Sequence, residues 1–382
     1  MAHFHLPVTV VTGEGCFSEL GRRAVALGRR ALLVCGANSL KASGRLDAAL
    51  ESLTAAGGES IVYDAVRSEP TLDMVEQGLA WGRTEQVEVI IGIGGGSAMD
   101  VAKAIAGLFP YPGTVSEYFH GQRKIAGGGL PWIAVPTTAG TGAEVTSNAV
   151  LSDPQTRIKS SLRHDGWYAH TALVDPELTM SMPPSVTVAS GSDALVQAIE
   201  AYTSIGASPT TDALAMRAIE LIGRSLKVVC ANGQNRAARA DMLYGSMLAG
   251  MALANARLGG VHGMAHPLGE RFHISHGVIC GLLLPWVMVY NVDYAKEKYA
   301  AVARLLGIDT RGMDDEQAAQ AAIEAIRALF AEIGIPSRLS PFGVTEADFP
   351  VIIAESLPSG SLKHNPRPLA AQDVEAILKA AL

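Results

Sequence analysis

Charged and aromatic residues are scarce in this chain of 382 residues: 18% are Asp, Glu, Lys or Arg, and 5% are Phe, Trp or Tyr. The formal net charge is −7, so the chain lacks the basic excess that neutralises nucleic-acid phosphates. It also lacks an uninterrupted apolar run of about 20 residues, and the longest, residues 282–290, contains Pro285. We therefore expect neither nucleic acid nor a membrane as a partner.

Cysteine is rare as well, with four scattered residues. Cys35 and Cys280 lie in apolar runs, where a thiol usually behaves as a small buried hydrophobic group. The sequence does not open with a basic segment followed by an apolar one, the pattern of a targeting signal. We expect a reduced, cytoplasmic protein without disulfide bonds.

Hydrophobic residues make up 48% of the chain, enough for a large core divided between about two domains. In residues 1–180, strand-like runs alternate with helical patterns, which predicts an α/β domain with a doubly wound, Rossmann-like parallel sheet. After the Met-Pro-Pro break at residues 182–184 only helical spacing recurs, so residues 181–382 are predicted to form an all-α domain. The predicted strands are Thr9–Thr12, Ala31–Cys35, Ile61–Tyr63, Val87–Ile93, Trp132–Val135 and Ala172–Val174.

A glycine-rich turn follows the fourth predicted strand. Residues 94–97, Gly-Gly-Gly-Ser, lie between that strand and a helix predicted to begin near Ala98. Glycines allow close approach of a ligand, and a helix start offers unpaired N–H groups and a positive dipole end to a phosphate. The spacing differs from the dinucleotide fingerprint, so a tight connection without a ligand is the alternative interpretation.

Four segments carry a resemblance to a known family. They are residues 94–103 (GGGSAMDVAK), 136–146 (PTTAGTGAEVT), 260–269 with 275–277 (GVHGMAHPLG and SHG), and 365–367 (NPR). In order and spacing they resemble the signature blocks of the iron-containing (group III) alcohol dehydrogenases. The resemblance implies a dehydroquinate synthase-like architecture, a nicotinamide cofactor in a cleft between the two domains, and a homodimer or larger homo-oligomer. It also implies hydride transfer between a small alcohol and its aldehyde or ketone.

The resemblance assigns cofactor-binding roles to three segments. In the family the glycine-serine turn holds the pyrophosphate, the threonine loop lies along the cofactor, and a lysine downstream of that loop reaches the ribose. For the threonines, a capped turn is the alternative interpretation. The matching residues are Gly95, Gly96, Ser97, Thr137, Thr138, Thr141, Thr146 and Lys159.

The residues after Cys35 bear on the choice between NADH and NADPH. Many family members that prefer NAD carry an aspartate there, which repels a 2′-phosphate, whereas this chain has Ser39 and Lys41 and no acid. The segment resembles that of NADP-using members, so we expect a preference for NADPH. The alternative is that Ser39 caps the next helix and Lys41 is a solvated charge.

The resemblance also implies one divalent metal, iron or zinc, bound by an aspartate, a histidine four residues later and two further histidines. Asp193, His262 and His276 match, but Gln197 stands where the second ligand would be a histidine. An amide oxygen binds these metals more weakly than imidazole does. Three alternatives follow: Gln197 ligates together with a water, the other three residues hold the metal alone, or the site works without metal.

His266 follows His262 by one helical turn, and the resemblance places it near the nicotinamide as a proton carrier. The sequence thus predicts an NAD(P)-dependent alcohol dehydrogenase or aldehyde reductase that works mainly as a reductase. Competing interpretations are a metal-independent reductase of the maleylacetate reductase type, a phosphate-eliminating relative of dehydroquinate synthase, and a dinucleotide-binding protein that has lost catalysis.

Overall fold

The computed structural model describes residues 3–67 and 69–382, which form two compact units. One unit, here called the α/β unit, comprises Leu6–Thr138 and Gly142–Ser181. The other, the helical unit, comprises residues 3–5, Ala139–Thr141 and Met182–Leu382. The chain therefore leaves the α/β unit for three residues, in the middle of the threonine loop.

The α/β unit is built on a parallel sheet of six strands in the order β1-β8-β5-β4-β2-β3, and a separate antiparallel pair joins β6 to β7. All six predicted strands lie in the parallel sheet, which confirms the predicted fold class. The β6–β7 hairpin was not predicted, because β7 is mostly exposed and polar. The strands are β1 (Thr9–Thr12), β2 (Arg30–Gly36), β3 (Glu59–Val66), β4 (Val89–Gly94), β5 (Trp132–Pro136), β6 (Asn148–Asp153), β7 (Ile158–Arg163) and β8 (Thr171–Val174).

Helices cover both faces of the sheet. Alternate residues of β2 point to opposite faces, so that Leu33 packs with the core residues of α1 and α3, whereas Leu32 is close to Gly82 of α4. Burial on both faces explains the continuous apolar runs of β2 and β4. The helices are α1 (Leu20–Val25), α2 (Ser39–Ala42), α3 (Arg45–Ala55), α4 (Leu72–Thr84), α5 (Gly96–Leu108) and α6 (Val115–Phe119), with 3₁₀ segments at Cys16–Glu19, Ala143–Val145, Asp165–Trp167 and Pro176–Thr179.

The register of the sheet aligns the ends of β4 and β5. Gly94 pairs with Pro136, so the glycine turn after β4 and the threonine loop after β5 begin side by side at the carboxyl edge of the sheet. This is the edge at which open α/β sheets bind their ligands.

The helical unit contains eight α-helices, as its apolar spacing predicts. They are α7 (Pro184–Thr203), α8 (Pro209–Ala231), α9 (Arg236–Ala256), α10 (Gly260–Phe272), α11 (His276–Leu305), α12 (Asp315–Glu332), α13 (Phe349–Ser356) and α14 (Ala371–Ala381), with 3₁₀ segments at Ser340–Phe342, Glu346–Asp348 and Leu362–His364. By length and composition alone, α11 is apolar enough to cross a membrane. Of its most apolar stretch of 18 residues, 61% is buried. The helix packs against α7 and α12, as a core helix does.

Candidate functional site

The turn between β4 and α5 has the backbone of an anion cradle. Gly94 has φ +154°, and a Cβ on it would stand 2.7 Å from the Ala98 Cβ, so only glycine fits there. The helix begins at Gly96, two residues before the predicted start, and within the described chain no side chain caps its N-terminus. A helix start of this kind is suited to a phosphate, because its first-turn N–H groups point along the axis at the positive dipole end.

Thr137 and Thr138 lie beside this cradle. The Thr137 N–H donates to the Gly94 carbonyl at 2.8 Å, and a Cβ on Gly95 would stand 3.1 Å from the Thr138 Cγ2. The structure thus brings five predicted residues together: Gly95, Gly96, Ser97, Thr137 and Thr138. Thr141, in contrast, is exposed and belongs to the helical unit.

In the helical unit, three helices bring four ligand-type side chains together. Asp193 lies on α7, His262 on α10, and His276 and Cys280 on successive turns of α11. One donor atom from each lies within 4.8 Å of all the others. The Asp193 Oδ1 stands 3.3 Å from the His262 Nε2 and 3.7 Å from the His276 Nε2. The Cys280 Sγ stands 3.9 and 3.6 Å from the same two nitrogens.

Comparison with known proteins identifies the family. Residues 7–176 match the model of the iron-containing alcohol dehydrogenases, and residues 187–382 match that of the C-terminal part of the Fe-containing alcohol dehydrogenase family. This chain belongs to the iron-containing alcohol dehydrogenase family. It is therefore an oxidoreductase that interconverts alcohols and aldehydes.

Relatives within this alcohol dehydrogenase family differ in substrate. The chain is 39% identical to a long-chain-alcohol dehydrogenase from Geobacillus thermodenitrificans (strain NG80-2), over 100% of this chain and 97% of the relative. It is 33% identical to an NAD-dependent methanol dehydrogenase from Bacillus methanolicus, over the full length of both chains. A crystal structure of a 1,3-propanediol oxidoreductase superposes with a TM-score of 0.95 at 39% identity and full coverage of both chains.

The buried cluster of Asp193, His262, His276 and Cys280 has the features of a binding site for a divalent cation. The Asp193 Oδ1 is buried and has no hydrogen-bond partner within the described chain, although two imidazole nitrogens and a sulfur surround it. A buried carboxylate oxygen without a donor is costly. Carboxylate, imidazole and thiolate are ligands for zinc and iron. The residues present therefore fit a metal, and that Asp193, His262 and His276 bind it stays a prediction.

The His262 ring is oriented by Glu200, a residue to which the sequence pattern assigned no role. The Glu200 Oε2 accepts a hydrogen bond from the His262 Nδ1 at 2.6 Å, and its Oε1 accepts from the Val261 N–H at 2.7 Å. When the ring carries a single proton, on Nδ1, His262 presents a lone pair on Nε2 to the cluster. Asp193, Gln197 and Glu200 follow one another at i, i+4 and i+7, so one face of α7 supplies all three.

Close packing of α11 on α7 positions His276. A Cβ on Gly277 would stand 1.9 Å from the Ala189 carbonyl oxygen, one turn before Asp193. A glycine directly after His276 thus allows the start of α11 to approach α7. The His266 ring stacks on His276, with ring centroids 5.3 Å apart and planes 19° apart, which continues the row of histidines from His262.

Gln197 lies beside the cluster and contacts Asp193. Its Nε2 donates to the Asp193 Oδ2 at 2.7 Å, which leaves Oδ1 for the two histidines. The Gln197 Oε1 is buried and has no hydrogen-bond partner among the described residues. Gln197 therefore orients the aspartate.

The cluster shifts the proton affinities of its members. Burial disfavours the charged form of Asp193, but His276 and His262 outweigh it and hold the pKa of Asp193 below its usual value. Burial raises the pKa of the Cys280 thiol to about 12, although His262 acts in the opposite direction. Without a metal, Cys280 is therefore a neutral thiol at neutral pH.

Thr146 and Lys159 have partners of their own in the α/β unit. The Thr146 hydroxyl is buried and accepts a hydrogen bond from the Lys103 Nζ at 2.9 Å, so it stabilises the threonine loop from inside the protein. The Lys159 Nζ pairs with a Glu69 carboxylate oxygen at 2.5 Å on the protein surface. Neither contact involves the glycine turn, so any cofactor role of these two residues stays a prediction.

The segment after β2 also forms contacts that the sequence did not reveal. Asn38, not Ser39, precedes α2, and Ser39 is its exposed first residue, so the capping alternative for Ser39 does not apply. Lys41 pairs with Asp64 of β3 at 2.6 Å. The cation expected to meet a 2′-phosphate therefore has an acidic neighbour, which neither the spacing nor the motif indicated.

A buried lysine ties α5 to the threonine loop. The Lys103 Nζ donates to the carbonyls of Ala143 and Asn148 at 2.9 and 2.8 Å, besides Thr146. Burial lowers the pKa of Lys103 to about 8 and raises that of Glu144 to about 7. Lys103 belongs to the first signature block, yet its role is visible only in three dimensions.

Proposed function

We propose that this enzyme is a nicotinamide-dependent aldehyde reductase that prefers NADPH and binds one divalent metal through Asp193, His262 and His276. The observation that carries the proposal is the convergence of these three side chains from three helices, with a buried carboxylate oxygen lacking a donor. The substrate is proposed to be a small aldehyde or ketone, in line with relatives named for methanol and 1,3-propanediol.

The cofactor is proposed to bind through its pyrophosphate at the start of α5. There Gly94–Ser97 offer backbone N–H groups and the positive end of a 13-residue helix. Thr137 and Thr138 add hydroxyl groups next to the cradle without adding charge. For the NADPH preference, support comes from the absence of an acid between Gly36 and Lys41.

A bound metal would supply Lewis-acid stabilisation of the alkoxide that develops when hydride reaches the carbonyl carbon. The chain's own residues prepare that site. Glu200 fixes the tautomer of His262, Gln197 fixes Asp193, and the Gly277 contact with α7 sets the position of His276. Preorganisation of this kind removes reorganisation cost from the reaction.

His266 is proposed to carry the proton that the product alkoxide takes up. It is half-buried and stacks on His276, whose own side chain is 28% exposed, so the pair extends from the buried cluster towards solvent. An imidazole titrates near physiological pH, which suits a proton carrier.

The proposal is tested by following NADPH and NADH absorbance with a panel of aldehydes, before and after chelation and with zinc or iron restored. We expect turnover that falls on chelation and returns with metal, and a His262→Ala variant that loses the response. Turnover unaffected by chelation would instead establish the metal-independent reductase. Cofactor binding without turnover on any aldehyde or metal would establish a degenerate dinucleotide-binding protein.

A further inference from the structure

We infer that Cys280 is the fourth protein ligand of the metal, so that this enzyme binds zinc through an aspartate, two histidines and a thiolate. The inference rests on the proposed function, because it concerns the same metal. It identifies the residue that takes the place of the histidine that the family has four residues after the aspartate, where this chain has Gln197. Gln197 then orients Asp193 and does not itself bind the metal.

The geometry of the four donor atoms carries the inference. Atoms bound about 2.0–2.3 Å from a tetrahedral zinc stand about 3.3–3.6 Å from one another. The four distances that join Asp193 or Cys280 to the two histidines are 3.3, 3.7, 3.6 and 3.9 Å. The other two pairs, Asp193 with Cys280 and His262 with His276, also lie within 4.8 Å. The Cys280 sulfur therefore lies near both imidazole nitrogens and the carboxylate, at separations close to those between the ligands of one zinc ion.

The surroundings of Cys280 oppose a purely apolar role. Its sulfur contacts both imidazole nitrogens, and the same cluster contains the Asp193 Oδ1, which has no hydrogen-bond partner among the described residues. His276 and Cys280 are i and i+4 on α11, so one helix face presents both. The Gln197 Nε2 donates to the Asp193 Oδ2 at 2.7 Å and so holds the aspartate, while the Gln197 Oε1 is buried without a hydrogen-bond partner among the described residues.

The change of ligand alters the chemistry of the metal. A thiolate is a soft donor that favours zinc over the harder divalent ions, so selectivity should shift from iron towards zinc. Two anionic ligands also neutralise a divalent cation, whereas one aspartate with three histidines leaves a positive charge. Binding deprotonates the thiol and releases that proton to solvent. A zinc held by these four residues would supply Lewis-acid polarisation of the substrate carbonyl.

The experiment compares the full-length enzyme with Cys280→Ala and with two control variants, Cys230→Ala and Cys35→Ala, which remove cysteines outside the cluster. Each protein is loaded with one equivalent of Co²⁺, and the near-ultraviolet thiolate-to-cobalt charge-transfer band is recorded. We expect the band in wild type and both controls, and its loss in Cys280→Ala. Zinc affinity of that variant should fall by more than the about 10–100-fold that an outer-shell partner contributes.

A measurement on wild type covers the case in which Cys280→Ala does not fold. X-ray absorption of the zinc-loaded enzyme should show one sulfur at about 2.3 Å among nitrogen and oxygen neighbours at about 2.0–2.2 Å. A shell without sulfur, a cobalt band that survives in Cys280→Ala, or a wild type that binds no metal would overturn the inference. Aldehyde turnover without bound metal would leave the oxidoreductase proposal standing. A sulfur-ligated metal without any turnover would overturn the proposed function alone.

Discussion

The Glu200 carboxylate accepts a 2.6 Å hydrogen bond from Nδ1 of His262, and both side chains are buried. The same carboxylate accepts from the backbone N–H of Val261, at the start of the helix that carries His262. Asn365 supports this start from the other side, because its Oδ1 accepts from the Gly260 N–H at 3.0 Å. Glu200 therefore positions His262, and the C-terminal Asn-Pro-Arg block has a structural role at the same place.

Glu200→Gln should weaken metal binding about 10–100-fold while leaving the fold intact. The amide cannot satisfy both Val261 N–H and His262 Nδ1–H as an acceptor without turning its NH₂ group onto a donor. The zinc dissociation constant and the recovery of activity at saturating zinc measure the effect. Glu220→Gln, at an exposed carboxylate on α8, is the control. An unchanged zinc affinity would show that Glu200 serves only to hold α10.

Gln197→His should raise metal retention through dialysis, because it restores an imidazole four residues after Asp193. The gain should be larger in a Cys280→Ala background, where a ligand position is vacant, than in wild type, where Cys280 fills it. Elemental analysis of all four proteins, purified in parallel, gives the comparison. Equal retention with glutamine and histidine in both backgrounds would contradict the idea that Gln197 weakens the site.

Glu144→Gln should change the pH dependence of stability. Burial raises the pKa of Glu144 from 4.5 to about 7 in the folded chain, so the neutral form favours folding. That stabilisation is complete below pH 4.5 and is lost as the pH rises through 7, by at most about 3 kcal/mol.

Thermal unfolding midpoints measured from pH 4.5 to 8 test whether stability falls as the pH rises. The midpoint of wild type should fall relative to Glu144→Gln between pH 4.5 and 7, and the difference should level off above that window. Glu59→Gln, at an exposed carboxylate, should run parallel to wild type at every pH. A Glu144→Gln curve that also stays parallel to wild type would refute the shifted pKa.

Lys41→Ala should lower kcat/KM for NADPH at least about tenfold and leave NADH unchanged, because a charge-assisted bond to a phosphate contributes about 1.5 kcal/mol or more. Asp64→Asn should act in the opposite direction, since it frees Lys41 from its 2.6 Å ion pair. Kinetics with both cofactors separate the effects, and Lys379→Ala in the helical unit is the control. If neither substitution moves the NADPH-to-NADH ratio, the residues after β2 do not choose the cofactor.

The sequence by itself determined the family, the fold class, the six strands of the parallel sheet, and three side chains that converge in the structure, Asp193, His262 and His276. Strands β2 and β4 are buried on both faces, so each can be recognised in the sequence as a continuous apolar run. The Gly-Gly-Gly-Ser turn directly follows β4. His262 and His276 stand in motifs whose residues are close in the sequence, so a local pattern was enough to select them.

Only the tertiary structure decided what completes the cluster. Cys280 in an apolar run on α11 has the sequence signature of a core residue, and its sulfur meets Asp193 and His262 only because α7, α10 and α11 pack together. The pairs Glu200–His262, Lys103–Thr146 and Lys41–Asp64 likewise join residues that lie 62, 43 and 23 positions apart. Periodicity reports which face of an element is buried, but it carries no information about which residue of another element lies opposite.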